Sequence, residues 1–283
     1  MSLMSKLLSL AVLTSLSLNA TSDVDSVKEY VKKFMVKNAQ VKVTSVDIIA
    51  TKTLEKPKGW DVYFVNIHAN VKKSKTVFDK VTVPETLFVK DGFTVPTLIN
   101  LKTGEDMKSI LKPDLKAEAF TDTHLFAGNK NAKHSIVVFS DPQCPFCKTI
   151  TPKLYKAAKE HPNMFSFYYY SFPLTRIHPV SDIIARAMVT EEKKGHYRKV
   201  IDMYRFDINP REVNAKKVLA KLNKKFNLNI TEEMINTQEV SDALIFDREM
   251  ATKSMVSGTP TVYIDGKWDP SRKKYEKMLS DKK

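Results

Sequence analysis

Cysteine is almost absent from this chain: two occur in 283 residues, Cys144 and Cys147, with two residues between them. That scarcity excludes the multi-bridge framework of small secreted domains, and it excludes a zinc cage built on two cysteine pairs. Glycine is scarce as well, at seven residues, and no glycine-rich nucleotide loop or haem attachment motif occurs. No apolar run reaches the about 20 residues that a membrane-spanning helix needs. Acidic residues are the minority charge, 32 against 46 Lys plus Arg, for a formal net charge of +14. Such a surplus favours acidic surfaces or nucleic acid electrostatically. The lysines, however, are spread along the whole chain and no nucleic-acid-binding motif accompanies them, so no nucleic-acid partner is expected.

What is present is the composition of a globular protein. Hydrophobic residues make up 42% and charged residues 28%, unlike the profile of a disordered chain. The length exceeds the roughly 100–200 residues of one domain, so two domains are expected, each able to bury a core. Residues 1–20 have a pattern of their own. After "MSLMSK" comes "LLSLAVLTSLSL" and then "NA", the basic, apolar and small order of a secretory signal peptide ending at Ala20. An uncleaved anchor or a buried helix is the alternative for the same run. If it is a signal, the remainder works outside the cytosol.

Outside the cytosol thiols tend to be oxidised, but structural bridges usually join distant parts of a chain. Cys144 and Cys147 would close a loop of about 4 residues, which restricts the unfolded state very little. A zinc site needs four ligands, and none of the six histidines is paired at ligand spacing, so no metal is expected. Exchange chemistry remains, in which one thiolate attacks a substrate disulfide and its neighbour resolves the mixed disulfide. It needs no bound cofactor, because the electrons reside in the thiols themselves.

The flanks assign the roles. "SIVVFS", residues 135–140, is a short, continuous, β-branched run, as in a strand buried on both faces. "CPFCKTITPKLYKAAKEH" reads as a helix with Pro145 at an early position, where its missing N–H costs nothing. Cys144 then lies at the helix N-terminus, where unpaired N–H groups and the helix dipole favour a thiolate. Cys147, one turn further in, is expected to be more buried and less acidic. Cys144 is therefore the nucleophile and Cys147 the resolving thiol.

Residues 21–110 have a different rhythm, a helix followed by strands. "SDVDSVKEYVKKFMVKN" carries Val27, Tyr30, Val31, Phe34 and Met35 on one helical face, with Ser26 and Glu29 as a capping box. In "VYFVNIHANV" the residues Tyr63, Val65, Ile67, Ala69 and Val71 alternate with Phe64, Asn66, His68 and Asn70, which predicts a half-exposed antiparallel strand with His68 on its wet face. "TVFDKVTV", "TLFVKDGFTV" with an Asp91-Gly92 turn, and "TLINLKTG" complete a meander. Residues 111–127 connect this module to a domain spanning 128–283. Within that domain, helical patterns occupy about 175–255, including a long one opened by Thr231, Glu232 and Glu233. "TVYI" is a strand, Asp265-Gly266 a hairpin turn, and "DPSRKKYEKMLSDKK" a terminal helix packing Tyr275, Met278 and Leu279. His178 stands at a loop–helix junction, where a structural role is the commoner one.

"FSDPQCPFCKTITP" resembles the active-site segment of the thioredoxin superfamily, including the proline five residues past the second cysteine, Pro152. "SGTPTVYIDGKW" is similar to that superfamily's cis-proline loop and the hairpin after it. The resemblance implies a cis Pro260 facing the cysteines, with the backbone of Thr259 receiving the substrate chain, and Pro145 and Phe146 beside it. The whole arrangement resembles the periplasmic disulfide isomerases of the DsbC and DsbG type. This implies an α+β/α/β protein, a thioredoxin-like catalytic domain with a helical insertion plus a small N-terminal cystatin-like helix-and-antiparallel-sheet domain. It also implies a periplasmic homodimer acting on cysteine-containing exported proteins, served by a membrane redox partner. Asp141 and Thr259 match the isomerase pattern. Other features look like the broader DsbA-like group, so a DsbA-like dithiol oxidase is the alternative, and a chaperone-like binding protein a second one. Two departures stand out. Phe146 replaces the histidine of DsbA, which implies a less oxidising protein, and Val138 stands where thioredoxin and DsbA bury an acid behind the cysteines. How Cys147 loses its proton is therefore open.

Overall fold

A computed structural model describes residues 18–74 and 76–280, so most of the predicted signal segment lies outside the described residues. The chain begins with helix α1 (Leu18–Tyr30), extended by a π turn (Val31–Met35). A four-stranded antiparallel sheet follows in the order β1 (Val41–Thr53), β2 (Asp61–Lys72), β3 (Phe78–Lys90) and β4 (Phe93–Val95). Asp91 and Gly92, both at positive φ, make the two-residue turn between the last two strands. Val27 and Val31 of the helix pack on Val46, Tyr63, Val65, Ile67 and Leu87.

Several N-terminal expectations change. The helix starts upstream of the expected cap, so Ser26 lies inside it, and the Glu29 carboxylate pairs with Lys33 one turn on. Phe34 is exposed rather than on the buried face. The second face of β2 is not wet: Val62 and Phe64 are fully covered and pack with Leu54 and Phe88, under Leu98, Met107, Leu111 and Met255. A strand with one face on the helix and the other under returning chain is buried on both sides, which alternation alone does not reveal. Asn66 is buried there too. His68 is half-buried and bonds Asp47 and Thr82, both at 2.9 Å. The two segments around Pro84 form one continuous strand; β4 pairs only with Phe88–Lys90, so at Pro84 β3 is an edge that tolerates a residue without an N–H. "TLINLKTG" contributes only an isolated bridge, Ile99 to Asp106, ahead of the short helix α2 (Met107–Ile110).

Two 3₁₀ turns (Ala117–Ala119 and Asp122–His124) lead into a five-stranded sheet. It contains β5 (Leu125–Ala127), β6 (His134–Ser140), β7 (Phe165–Ser171), β8 (Thr261–Ile264) and β9 (Lys267–Trp268), in the order β5-β7-β6-β8-β9. The segment expected to connect the domains thus supplies an edge strand, too short for a periodicity signal. Strands β6 and β7 are parallel and joined through α3 (Pro145–Glu160); β8 runs antiparallel to β6. Alternation along β6 builds two cores, as the apolar run predicts. Ile136 and Val138 face α3 and the inserted helices, whereas Val137 and Phe139 face Met250, Ala251 and Val256. Each fully buried side chain of this size stabilises the fold by about 1.5–3 kcal/mol.

Between β7 and β8 lie α4 (Val180–Glu192), α5 (Tyr197–Asp202) with a 3₁₀ turn (Met203–Arg205), α6 (Ala215–Phe226), α7 (Glu232–Ile235) and α8 (Gln238–Lys253). The long helix expected from Thr231 is two helices. Thr231 and Thr237 each cap one through the side-chain oxygen, and a new N-cap restarts the axis. Helix α9 (Lys274–Ser280) buries Tyr275, with Met278 and Leu279 against the same core. Among the described residues no helix is long and apolar enough to cross a membrane.

Candidate active site

The sequence folds into a strand, a turn and a helix where the two thiols occur. Strand β6 ends at Ser140, and Asp141 turns the chain: its carboxylate accepts from the N–H groups of Gln143 at 2.6 Å and Cys144 at 3.2 Å. Cys144 is the N-cap of α3, with extended backbone, and Pro145 follows at the first helical position. Cys147 is fully buried, and Cys144 is 6% exposed. Both are free thiols.

The two sulfurs have opposite acid–base character. Cys144 is pulled down to about 5 from an ordinary 9.0, first by the hydrogen bond from Cys147. The backbone N–H groups of Cys147 and Phe146 also favour its thiolate, against a desolvation cost. Cys147 is pushed well above the thiol range, first by burial and then by Cys144. Only the Ser140 hydroxyl and the Asp141 backbone work the other way there.

Opposite α3 lies the segment before β8. The Thr259-Pro260 peptide bond is cis, and the Cys144 Sγ–H donates to the Thr259 carbonyl at 3.4 Å. The Thr259 hydroxyl is buried without a hydrogen-bond partner. Pro145 and Phe146 are exposed at the rim, Phe146 by 64%, and the Arg272 guanidinium lies 5.8 Å from the Phe146 ring centre. The structure therefore brings together all six residues singled out from sequence: Cys144, Cys147, Pro145, Phe146, Thr259 and Pro260. Their roles in exchange follow from chemistry and are argued below.

Asp141 has more partners than its place in the motif suggests. It is fully buried, and its carboxylate also accepts from the Leu174 N–H at 2.7 Å and the Ser181 hydroxyl at 2.7 Å, with His178 Nδ1 at 3.2 Å. Burying a carboxylate is costly unless its oxygens are hydrogen-bonded, as both are here. The hub ties the cysteine turn to the start of α4, and it gives His178 a structural partner. The sequence offers only the position of Asp141 in the motif; these partners lie more than thirty residues away. Gln143 Nε2 and Lys148 Nζ both donate to the Phe206 carbonyl, at 2.9 and 3.1 Å, which fixes the insertion against α3.

Behind Cys147 is a group of buried hydroxyls that the sequence does not signal. Ser140 Oγ is 2.7 Å from Thr151 Oγ1, Tyr169 OH is 3.0 Å from Tyr204 OH, and Ser171 Oγ donates to Tyr169 OH at 3.4 Å. Among the described residues no cluster of His, Cys, Asp and Glu has the make-up of a metal site.

Solved structures with a similar chain course include a thioredoxin-like oxidoreductase from Silicibacter pomeroyi (20% identity, 57% of this chain and 98% of that one, TM-score 0.45). Oxidised BdbD from Bacillus subtilis (16%, 60% and 95%, TM-score 0.47) and Proteus mirabilis ScsC in a transitional conformation (20%, 58% and 73%, TM-score 0.45) are further examples. Among curated proteins, the Na(+)/H(+) antiporter NhaA 3 of Salinispora tropica is 21% identical over 159 residues, 54% of this chain and 23% of that protein. The chain thus spans about a quarter of the length of that relative. The family profile described as Thioredoxin matches residues 120–280, more than half of the chain and the whole of the five-stranded sheet, and the chain belongs to that family.

Proposed function

We propose that the chain is a thiol–disulfide oxidoreductase acting on exported, cysteine-containing proteins, with the isomerases of the DsbC and DsbG type as its functional analogues. The observation that carries this reading is a thiol favoured as thiolate at a helix N-cap, 3.4 Å from the carbonyl of a cis-proline loop. The Cys144 thiolate attacks one sulfur of a substrate disulfide, forming a mixed disulfide and releasing the other sulfur as thiolate. Cys147 then attacks Cys144, and the substrate leaves as a thiol. In isomerisation the substrate's own thiolate displaces Cys144 instead, and the enzyme returns to its reduced form. The backbone groups of the Thr259 loop suit an extended substrate chain paired like an added strand.

Export to a periplasmic space rests on the apolar leader pattern in residues 1–20, and a homodimer on the N-terminal module. On its side away from β2, strand β3 has no strand partner over Phe78–Leu87 among the described residues, and exposed Val77, Phe78 and Val83 lie along this open edge, which a second copy would cover. A membrane redox partner would reduce or reoxidise the pair.

One observation favours the oxidase reading. A strongly acidic Cys144 stabilises the reduced protein, which makes its disulfide the stronger oxidant. Phe146, in place of an imidazole, acts in the opposite sense. Two measurements decide: the reduction potential against glutathione, and the refolding of a substrate with scrambled disulfides. Reshuffling activity supports the isomerase; a potential near that of DsbA without reshuffling supports the oxidase. Client handling that survives Cys144→Ser unchanged would move the protein to the chaperone-like class.

A further inference from the structure

Strand β9 returns from the Asp265-Gly266 turn toward the start of β8, with Trp268 opposite Tyr263, and the Asp269 N–H donates to the Val262 carbonyl at 2.8 Å. The turn between β9 and α9 therefore emerges beside the cis Thr259-Pro260 bond, at the mouth of the site. That turn is knitted by its own polar groups. Asp269 is 5% exposed, and its carboxylate accepts from the Ser271 hydroxyl at 2.6 Å and from the N–H groups of Ser271 at 3.1 Å and Lys274 at 3.0 Å. The Asp269 carbonyl accepts from the Arg272 N–H at 3.1 Å. Arg272 takes a φ of +58°, a conformation that residues other than glycine seldom adopt and that collects at ligand clamps. Its guanidinium reaches the first turn of α3, 5.8 Å from the Phe146 ring centre and within cation–π range. The charge there is not neutralised by the protein. Asp269 is occupied by its own turn, Asp141 by the N–H and hydroxyl groups around it, and Asp207 by Lys148. Among the described residues no carboxylate pairs with Arg272.

We propose that Arg272 is a specificity-determining residue: its guanidinium, held near Phe146 at the mouth of the site, donates to a carboxylate beside the substrate disulfide, so that cysteines flanked by Asp or Glu react in preference to others. The inference rests on the exchange chemistry proposed above and names the substrate class for it. A guanidinium presents a planar fork of N–H groups that matches a carboxylate, and the fork stays available while the cation is attracted to an aromatic ring. The preference also has an electrostatic origin at the reacting atom. An acidic neighbour of the substrate disulfide repels the Cys144 thiolate, and a cation at the mouth of the site offsets that repulsion. Arg272 takes no part in the bond changes. Cys144 Sγ bonds one substrate sulfur, the substrate S–S bond breaks, and the other sulfur leaves with the electron pair as a thiolate. The substrate disulfide is thus the oxidant, and no further reactant is needed.

The experiment mixes the reduced full chain, at about 0.1 M salt, with each of three small symmetrical disulfides: dianionic dithiodipropionate, neutral hydroxyethyl disulfide and dicationic cystamine. Samples are quenched in acid at intervals, and loss of the reduced chain is read by mass spectrometry. The intrinsic reactivity of each disulfide cancels when a variant is compared with the wild type. In Arg272→Gln the ratio of the anionic to the neutral rate is expected to fall about three-fold, and the ratio of the cationic to the neutral rate to rise. Lys156→Gln removes the same charge about 15 Å further along α3, beyond the about 10 Å over which such charges act at this salt, and both ratios are expected to stay within about 1.5-fold of the wild type. Unchanged ratios in Arg272→Gln overturn the proposal, and equal slowing with all three disulfides, the signature of a merely structural arginine, is one form of that outcome. A fall of the same size in Lys156→Gln also overturns it, since net charge alone would then explain the preference. Should Arg272→Gln fail to fold, Arg272→Gly adopts the same φ without strain and separates the same outcomes. A wild-type chain that reacts with none of the three disulfides would instead sink the proposed function and is distinguishable on that ground.

Discussion

At the residue scale, the chemistry depends on two sulfurs and one carboxylate. The depressed Cys144 pKa links folding to pH in the reduced protein. With a folded value near 5 and an ordinary value of 9.0, both states are protonated below about pH 5, and the thiolate adds nothing there. As pH rises toward 9 the folded state holds a charge that the unfolded state gains only later, so stability increases through that window. Burial of Cys147 acts in the opposite sense above pH 9, where the unfolded chain ionises first. Urea midpoints of the reduced wild type and of Cys144→Ser should therefore diverge from pH 5 to 9, with the wild type gaining; parallel curves would contradict the assignment. Asp141 makes the second prediction. Asp141→Ala leaves the part-buried N–H of Leu174 and the buried Ser181 hydroxyl without their acceptor, and a loss of about 3 kcal/mol is expected in denaturant unfolding. The motif makes Cys144, Cys147, Pro145 and Phe146 legible because they are neighbours in sequence. The Asp141 hub and the buried Tyr169–Tyr204 pair are not legible, because their partners come from other elements and carry no periodicity.

At the element scale, short signals are the readable ones. A two-residue Asp-Gly turn needs positive φ at both positions, and both such turns occur where expected. The β6 run and the helix opened by Pro145 are likewise plain. Strand β5 is not, since three residues show no pattern; its place is set by a glycine. Gly128 lies at φ +80, and a Cβ there would come within 1.8 Å of the Phe165 carbonyl oxygen. Gly128→Ala is expected to cost about 2 kcal/mol or more and to release the β5 edge, seen as faster amide exchange over Leu125–Ala127. Helix α8 offers a milder test: Thr237→Ala removes its cap and should lower stability by about 1 kcal/mol without altering thiol exchange. The sequence pattern merges α7 and α8 because a capping threonine inside an amphipathic stretch reads as one more polar residue.

At the scale of the whole molecule, the two halves of the chain are legible to different depths. The thioredoxin part is legible through two motifs over a hundred residues apart that fold against each other. The N-terminal module is legible as a helix and strands, but not its second buried face, because the cover comes from Leu98, Met107 and Leu111 and from Met255 just ahead of the proline loop. Lys112 bridges the same junction, donating to the Met255 carbonyl at 2.7 Å and lying 5.3 Å from the Trp268 ring centre. The open β3 edge leads to an expectation for assembly: light scattering should give twice the chain mass, and Val83→Lys should shift it toward the monomer. A monomeric wild type at working concentration would weaken the isomerase reading.

The central claim is that Cys144 is a thiolate at the positive end of α3 while Cys147 is not. Alkylation of the reduced chain with iodoacetamide across a pH series, with the modified cysteine identified by peptide mass mapping, tests it directly. The account predicts modification at Cys144 alone, with a rate that reaches half its plateau near pH 5. A half-plateau near pH 9, as for an ordinary thiol, or equal labelling of both cysteines, would contradict it.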